Sequence, residues 1–347
     1  MGGLSVFPNV YASPFEPPQK KLGIALVGLG YYSEFKLAPA LLETKYCKLT
    51  GIVTGTPEKE EKWAKKYNIP SKNIYTYETY DQIADNPDID VVYIVLPNGM
   101  HAEYTVRGAQ AGKHVICEKP MANSVAECEE MIAACKAAGK QLAIGYRLHY
   151  EPHTREIIRL GQEQVFGPVK LIEAGFGFKI GDPTQWRLNK KLAGGGPMMD
   201  VGVYVIQGTR YVTGEEPIAV TARSWVTDPV KFHDVEETTL WDMEFPSGAV
   251  ASCTTTYATN TERLRVNAEK GWFELSPAFS YGPIKGRTSK EAFAFPHTNH
   301  QAVHMDGVCK SIMDGEPNIV PGEEGLRDMK VIEAIYKSAE TGKRVTL

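Results

Sequence analysis

The chain has 347 residues, 43% hydrophobic and 23% charged, an ordinary balance for a globular protein and a length that suits two domains. Its formal charge of −4 excludes the basic footprint of a nucleic-acid binder. No run approaches the ~18 apolar residues of a membrane-spanning helix, so neither nucleic acid nor membrane is an expected partner.

Residues 1–20 carry Pro8, Pro14, Pro17 and Pro18. No helical or strand period survives there, and the segment reads as a proline-rich N-terminal arm, either packed on a surface or a neighbouring subunit, or disordered. It lacks the basic region and apolar core of a signal peptide. That favours a cytoplasmic protein, with a periplasmic one as the alternative if a leader has been removed. The six cysteines, Cys47, Cys117, Cys128, Cys135, Cys253 and Cys309, form no C-x-x-C pair and read as buried free thiols.

Residues 22–27 (LGIALV) form an apolar run of the kind found in a strand covered on both faces. Gly28-Leu29-Gly30-Tyr31-Tyr32-Ser33 follows, then a helical pattern over 34–42. This is G-x-G-x-x-S in the strand–turn–helix setting of a dinucleotide fingerprint. Gly28 permits the tight turn, Gly30 lets the backbone approach a pyrophosphate, and Ser33 is a small departure from the usual third glycine or alanine. The second strand, 48–53, ends at Thr54-Gly55-Thr56-Pro57-Glu58-Lys59 without the acid that grips a ribose 2′-hydroxyl. Thr54 and Lys59 suit a 2′-phosphate instead, which favours NADP over NAD.

Further strands are expected over 90–96 and 114–117, and a last one over 141–145, with helices at 60–67, 79–84, 102–111 and 124–138. Strand 90–96 ends in Pro97-Asn98-Gly99-Met100-His101. Asn98 and His101 are candidates for cofactor or substrate contact, although His101 equally suits a helix cap. Strand 114–117 delivers Cys117-Glu118-Lys119-Pro120. A Lys beside a Glu at the carboxyl end of a buried strand is unusual unless it faces a ligand, because ligands bind at that sheet edge. The β-α-β alternation of 21–145 gives a doubly wound parallel sheet of Rossmann type.

From residue 146 the texture changes. After a short helix at 156–160, alternating runs at 169–178, 218–224, 237–245, 249–256, 263–268 and 271–275 predict an open, mostly antiparallel sheet in an α+β domain over 146–347. Between the first two runs lie Trp186-Arg187-Leu188-Asn189 and a triple-glycine loop, 194–196, that enters a helix bearing Asp200 and Tyr204. Those two are four apart and share a helical face; the plainer reading is a capping Asp and a core Tyr. Helices at 299–313 and 322–341 close the chain, the last packing back toward the first domain. His300 and His304 have i, i+4 spacing without a third ligand, so no metal site is expected.

Four stretches carry a family resemblance: GLGYYS after the first strand, CEKP, GYRLHYEP (145–152), and WRLNKKLAGGGPMMDVGVY (186–204). With them the chain resembles the Gfo/Idh/MocA oxidoreductases, most of all the glucose–fructose oxidoreductase branch. That resemblance implies a catalytic set at Lys119, Asp200 and Tyr204, and cofactor contacts from Tyr31, Tyr32, Pro97, Glu118, Lys119 and Arg147. It also implies a cis peptide before Pro120 and a homodimer or homotetramer formed through the second sheet. Many members have His where this chain has Tyr204; the Tyr form is similar to the sugar-oxidising members. Tyr150, Asp182, Gln185, Trp186 and Arg187, together with Asp200 and Tyr204, are the candidates for sugar contacts.

A phenol becomes a useful base when a neighbouring cation favours its ionised form. Lys119 can supply that charge to Tyr204, and Asp200 can hold a sugar hydroxyl or orient Lys119. The leading expectation is an NADP-dependent oxidation of an aldose at C1 to its lactone, coupled to reduction of a second sugar by tightly held NADP(H). A simple glucose, xylose or dihydrodiol dehydrogenase is the alternative enzyme. A non-catalytic dinucleotide-binding regulator is the alternative of another class.

Overall fold

Two sheets organise residues 20–347, the part of the chain that the computed structural model describes; all but the last residue of the arm at 1–20 lies outside it. The first sheet has β1 (Leu22–Val27), β2 (Cys47–Val53), β3 (Ile74–Tyr75), β4 (Val91–Ile94), β5 (His114–Cys117) and β6 (Leu142–Ile144) in the order β3-β2-β1-β4-β5-β6. Every pairing is parallel. Ile24 to Val27 in β1 and Val91, Val92 and Ile94 in β4 are fully buried. Helices cover both faces, so these strands read as continuous apolar runs rather than alternations. The strand order reverses between β1 and β4, and the crevice outside their carboxyl ends is where such sheets take ligands.

Three helices of this unit follow the sequence reading to within a few residues: Pro57–Tyr67, His101–Gln110 and Val125–Ala137. Ser124 caps the last, its side chain accepting from the Glu127 amide at 3.2 Å, while the Glu127 carboxylate accepts from the Asn123 amide at 2.8 Å. That near-reciprocal pair satisfies amides the first turn leaves open. The segment expected as a helix at 79–84 is a 3-10 turn, Tyr80–Asp85. After the glycine turn the chain is helical but π-wound over Ser33–Leu37.

The second sheet contains β7 (Val169–Gly177), β8 (Ala219–Trp225), β9 (Thr238–Glu244), β10 (Val250–Thr256), β11 (Thr261–Ala268), β12 (Gly271–Leu275), β13 (Gly286–Thr288), β14 (Ala292–Phe293) and β15 (Val345–Thr346). Their order is β14-β13-β12-β11-β7-β10-β9-β8-β15. All pairs are antiparallel except the parallel pair β7–β10. Thr239, Trp241 and Met243 of β9 are buried while Leu240 between them is exposed, the alternation of a sheet with one covered face. Helices Pro152–Gln162 and Val203–Thr213 lie on that face, and Gly322–Thr341 lies along β8. Registered pairing puts Leu171, Trp225, Leu240 and Val250 together on the opposite face, all of them exposed.

The C-terminal helices tie the two units together. Gly322–Thr341 also packs on Val125–Ala137 and β6, and the Ile144 amide donates to the Val320 carbonyl at 2.8 Å. Helix His300–Asp314 reaches the first sheet through Asp306, whose carboxylate accepts from the Lys45 and Tyr46 amides at 2.8 Å each.

Candidate active site

The Lys119–Pro120 peptide is cis, and Lys119 leaves the end of β5 toward the helix that begins after the triple glycine. Its Nζ donates to the Asp200 carbonyl at 2.6 Å and to Asp200 Oδ1 at 3.1 Å. The same Nζ lies 4.9 Å from the centre of the Tyr204 ring. Asp200 Oδ2 accepts from Arg187 Nε at 2.9 Å and from the Tyr257 hydroxyl at 3.0 Å. One carboxylate therefore faces two cations and a phenol. Burial alone would raise the Asp200 carboxyl, but Arg187 and Lys119 outweigh it and hold the group well below the usual carboxylate range. Burial alone would likewise lower the Lys119 ammonium, yet Asp200, Tyr204 and Glu118 keep its pKa above the ordinary lysine value. Lys119 is thus a fixed positive charge at neutral pH rather than a base.

Tyr204 is buried. Phe176 meets it edge-on at 5.7 Å and Phe279 lies 6.3 Å away, while the Arg147 guanidinium stands 5.4 Å over its ring. Arg147 is itself anchored: its Nη1 lies 2.8 Å from His300 Nδ1 and donates to Ser280 O at 3.2 Å, and its Nη2 donates to Phe279 O at 2.5 Å. The backbone that carries Asp200 and Tyr204 is π-wound over Met198–Gly202 and α-helical from Val203, an irregularity that recurs at functional sites. Glu236 holds its entry. The carboxylate accepts from the Gly196 amide at 2.9 Å, the Met198 amide at 3.1 Å and the Tyr336 hydroxyl at 3.1 Å.

Glu118 points inward, accepting from the Tyr93 hydroxyl at 2.7 Å; burial pushes its carboxyl pKa up. It leans on Gly145, where a Cβ would fall 2.6 Å from Glu118 Oε1.

The glycine turn fits a dinucleotide. Gly28 has φ +95, and a Cβ there would meet the Val95 carbonyl oxygen at 2.5 Å, so only glycine closes the turn. Gly30 faces open space with nothing within 4 Å of its Cβ direction, which leaves room for a pyrophosphate against the backbone. Ser33, the departure from the usual third position, is buried and donates to Gly28 O at 2.6 Å, closing the turn on itself. At the end of β2, Thr54 is buried and its Oγ1 accepts from the Thr56 amide at 3.3 Å. Lys62 pairs with Glu34 across this edge. Lys62 above all, with Lys66 and Lys59, holds the Glu34 carboxyl below its ordinary value. No carboxylate stands at the strand end itself, Thr54-Gly55-Thr56.

The other expected residues divide. Gln185, Trp186 and Arg187 gather beside Asp200, with the Arg187 guanidinium 4.7 Å over Trp186 and its Nη1 donating to Gln185 Oε1 at 3.5 Å. Asp182 is exposed and occupied locally by the Thr184 amide and hydroxyl at 2.8 and 2.7 Å. Tyr150 packs edge-on against His304 at 5.4 Å and covers Gly307, so helix His300–Asp314 takes up its ring. Asn98, just after Pro97, donates to Ala193 O at 2.8 Å and joins the two units. His101 is buried with Nδ1 2.9 Å from Pro120 O and Nε2 2.9 Å from Leu96 O, bridging two strand ends. Tyr31 is 69% exposed and stacks on Phe35 at 4.9 Å. Tyr32 lies 6.1 Å from Tyr281 and accepts from Gln301 Nε2 at 3.4 Å. His300 and His304 face separate partners, Arg147 and the Ile144 carbonyl.

Tyr257, Tyr93, Tyr281 and Glu236 were not picked out from the sequence. Tyr257 and Glu236 stand next to strand runs, Tyr93 is one of the apolar run of β4, and Tyr281 lies between β12 and β13; none has a motif around it. Only the unusual density of tyrosines, 17 in the chain, hinted at a phenol-rich site.

Comparison with known proteins agrees with this fold. The model of the "Oxidoreductase family, NAD-binding Rossmann fold" (GFO_IDH_MocA) matches residues 22–146, and that of the "GFO/IDH/MocA C-terminal domain" matches 154–274. The crystal structure of an aldose–aldose oxidoreductase from Caulobacter crescentus complexed with glycerol superposes with TM-score 0.91 at 46% identity, covering 94% of this chain and 100% of that one. A D-xylose 1-dehydrogenase [NADP(+)] from Haloarcula marismortui is 29% identical over 93% of this chain and 92% of its own length. A D-xylose 1-dehydrogenase (NADP(+)) 2 from Haloferax volcanii is 31% identical over 78% and 84%.

Proposed function

The chain belongs to the GFO/IDH/MocA oxidoreductase family, and from that premise we propose that it is an NADP-dependent sugar oxidoreductase. It would oxidise an aldose at C1 to the lactone and reduce a second sugar, with tightly held NADP(H) carrying the hydride between them. The observation that carries the reading is the meeting of Lys119, Asp200 and Tyr204 beside the switch-point crevice, with Arg187 and Trp186 alongside.

When bound, the nicotinamide takes up or gives back the hydride. The residues handle the rest. Tyr204 accepts the C1 hydroxyl proton, and Lys119 and Arg147 place positive charge 4.9 and 5.4 Å from its ring centre. In the return half-reaction Tyr204 donates that proton to the second sugar's developing alkoxide. Asp200, occupied on both oxygens, docks Lys119 rather than binding sugar first. Arg187 and Trp186 offer a fork for vicinal hydroxyls and a face for a pyranose. The preference for NADP is supported by a β2 end, Thr54-Gly55-Thr56, that lacks an acid, with Lys59 and Lys62 on the helix that follows. The exposed face bearing Leu171, Trp225, Leu240 and Val250 supports a homodimer or homotetramer built through the second sheet.

The test is retention of cofactor. Purified protein should carry NADP through gel filtration and convert a mixture of two aldoses, or glucose with fructose, without added cofactor. Turnover that stops unless NADP is supplied would replace the coupled reaction with a simple dehydrogenase that releases NADPH.

A further inference from the structure

The Asp200 carboxylate is gripped by a residue that lies outside the four stretches carrying the family resemblance. Tyr257 follows the last residue of β10. Its amide donates to Glu237 O at 2.9 Å, and its carbonyl accepts from the Ile180 amide at 3.0 Å. The ring is almost wholly buried, at 1% exposure, in a small core of its own with Ile180, Leu188, Phe232 and Val235, and Phe178 meets it edge-on at 5.0 Å. With backbone and ring both pinned, the hydroxyl has one place to go, 3.0 Å from Asp200 Oδ2. Arg187 shares that oxygen but differs in kind: its side chain is 35% exposed and faces the sugar side with Trp186.

We infer that Tyr257 is a positioning residue for this reaction, holding the Asp200 carboxylate in the rotamer that docks Lys119 while Arg187 is free to exchange between Asp200 and a sugar hydroxyl. The inference rests on the roles proposed above for Lys119, Asp200 and Tyr204. A two-point hold on Lys119, through the Asp200 carbonyl and Oδ1, places its charge against the Tyr204 ring. Displacements of about 1 Å at such a site cost on the order of 100-fold in rate. With Arg187 engaged elsewhere, Tyr257 is the donor that keeps Oδ2 from turning.

Tyr257→Phe keeps the ring in its small core and removes only the hydroxyl. The expected result is a kcat lower by about 10- to 100-fold, with the sugar KM and the Kd for NADP within about threefold of wild type. If the residue acts through Asp200, adding Tyr257→Phe to Asp200→Asn should lower kcat no further, because coupled residues are not additive. Phe178→Leu loosens the same small core without touching Asp200, and should lower Tm while leaving kcat near wild type. The inference is overturned by a Tyr257→Phe enzyme with wild-type kcat, by additive losses in the double variant, or by a Phe178→Leu enzyme as slow as Tyr257→Phe. A wild-type protein that turns over no aldose is a different outcome: it removes the oxidoreductase reading, and this one with it.

Discussion

At the scale of single residues, the site is built from charges that cannot leave. Lys119 is 12% exposed and Asp200 17% at the side chain, and each pairs inside a pocket with little water to screen it. Removing the Lys119 ammonium should therefore cost rate more than fold, because Asp200 keeps Arg187 and Tyr257 as partners. Lys119→Met is expected to lower kcat by about 100-fold or more while NADP still co-purifies, as read by steady-state kinetics and absorbance of the bound cofactor. Loss of NADP together with activity would instead make Lys119 mainly a cofactor ligand. The lysines of the helix after β2 give a separate expectation. Lys62→Ala should raise the Kd for NADP by about tenfold, the worth of one charge-assisted hydrogen bond, and leave the Kd for NAD nearly unchanged in a fluorescence titration. Equal effects on both cofactors would place Lys62 away from the 2′-phosphate. Lys119 stood out in the sequence as a charge at a buried strand end, and Asp200 and Tyr204 as an i, i+4 pair, because both are local patterns; the roles given to them came from the family resemblance. Tyr257 and Glu236 did not stand out, since what aims them at Asp200 and at the glycine loop is the crossing of distant strands.

At the scale of elements, the strands of the first sheet were readable nearly to the residue, because burial on both faces leaves uninterrupted apolar runs. The edges of the second sheet were not. β13, β14 and β15 have three, two and two residues, too few to show a period of two. The π-wound turns at Ser33–Leu37 and Met198–Gly202 were also hidden, since each is a single five-residue turn, too short to show its own period. The second of these turns depends on its glycine loop. A Cβ on Gly195 would lie 1.9 Å from the Tyr336 hydroxyl, and one on Gly196 would lie 2.2 Å from the Glu236 carbonyl oxygen. Gly195→Ala must push Tyr336 off the Glu236 carboxylate or shift the loop, and either change moves the start of the helix bearing Asp200. Overpacking of this kind costs roughly 1–3 kcal/mol. The variant should fold with a lowered Tm and lose most of its kcat. An enzyme that keeps full kcat at a lowered Tm would show that the loop does not set the Asp200 position.

At the scale of the whole molecule, helix His300–Asp314 belongs to the second unit in sequence and packs on both units, and it brings histidines into the junction. His304 is buried at 1% exposure with Nε2 3.0 Å from Ile144 O; a carbonyl only accepts, so the neutral ring donates from Nε2. His300 Nδ1 accepts from Arg147, a role that protonation abolishes. Burial, helped by Arg147, pushes both down to about 4. An unfolded histidine titrates near 6.5, so between that pH and about 4 the unfolded chain binds more protons than the folded one. Stability therefore falls as pH falls through this window. For the fully buried His304 the loss is about 3 kcal/mol, at 1.36 kcal/mol per unit. Glu118 and Glu236, raised by burial, act in the opposite sense, so the histidine contribution is best isolated by substitution. His304→Gln keeps a donor for Ile144 O and does not titrate. Urea unfolding at pH 7, 5.5 and 4.5 should show stability dropping more steeply for wild type than for His304→Gln. Parallel slopes would mean that the junction histidine is protonated in the fold.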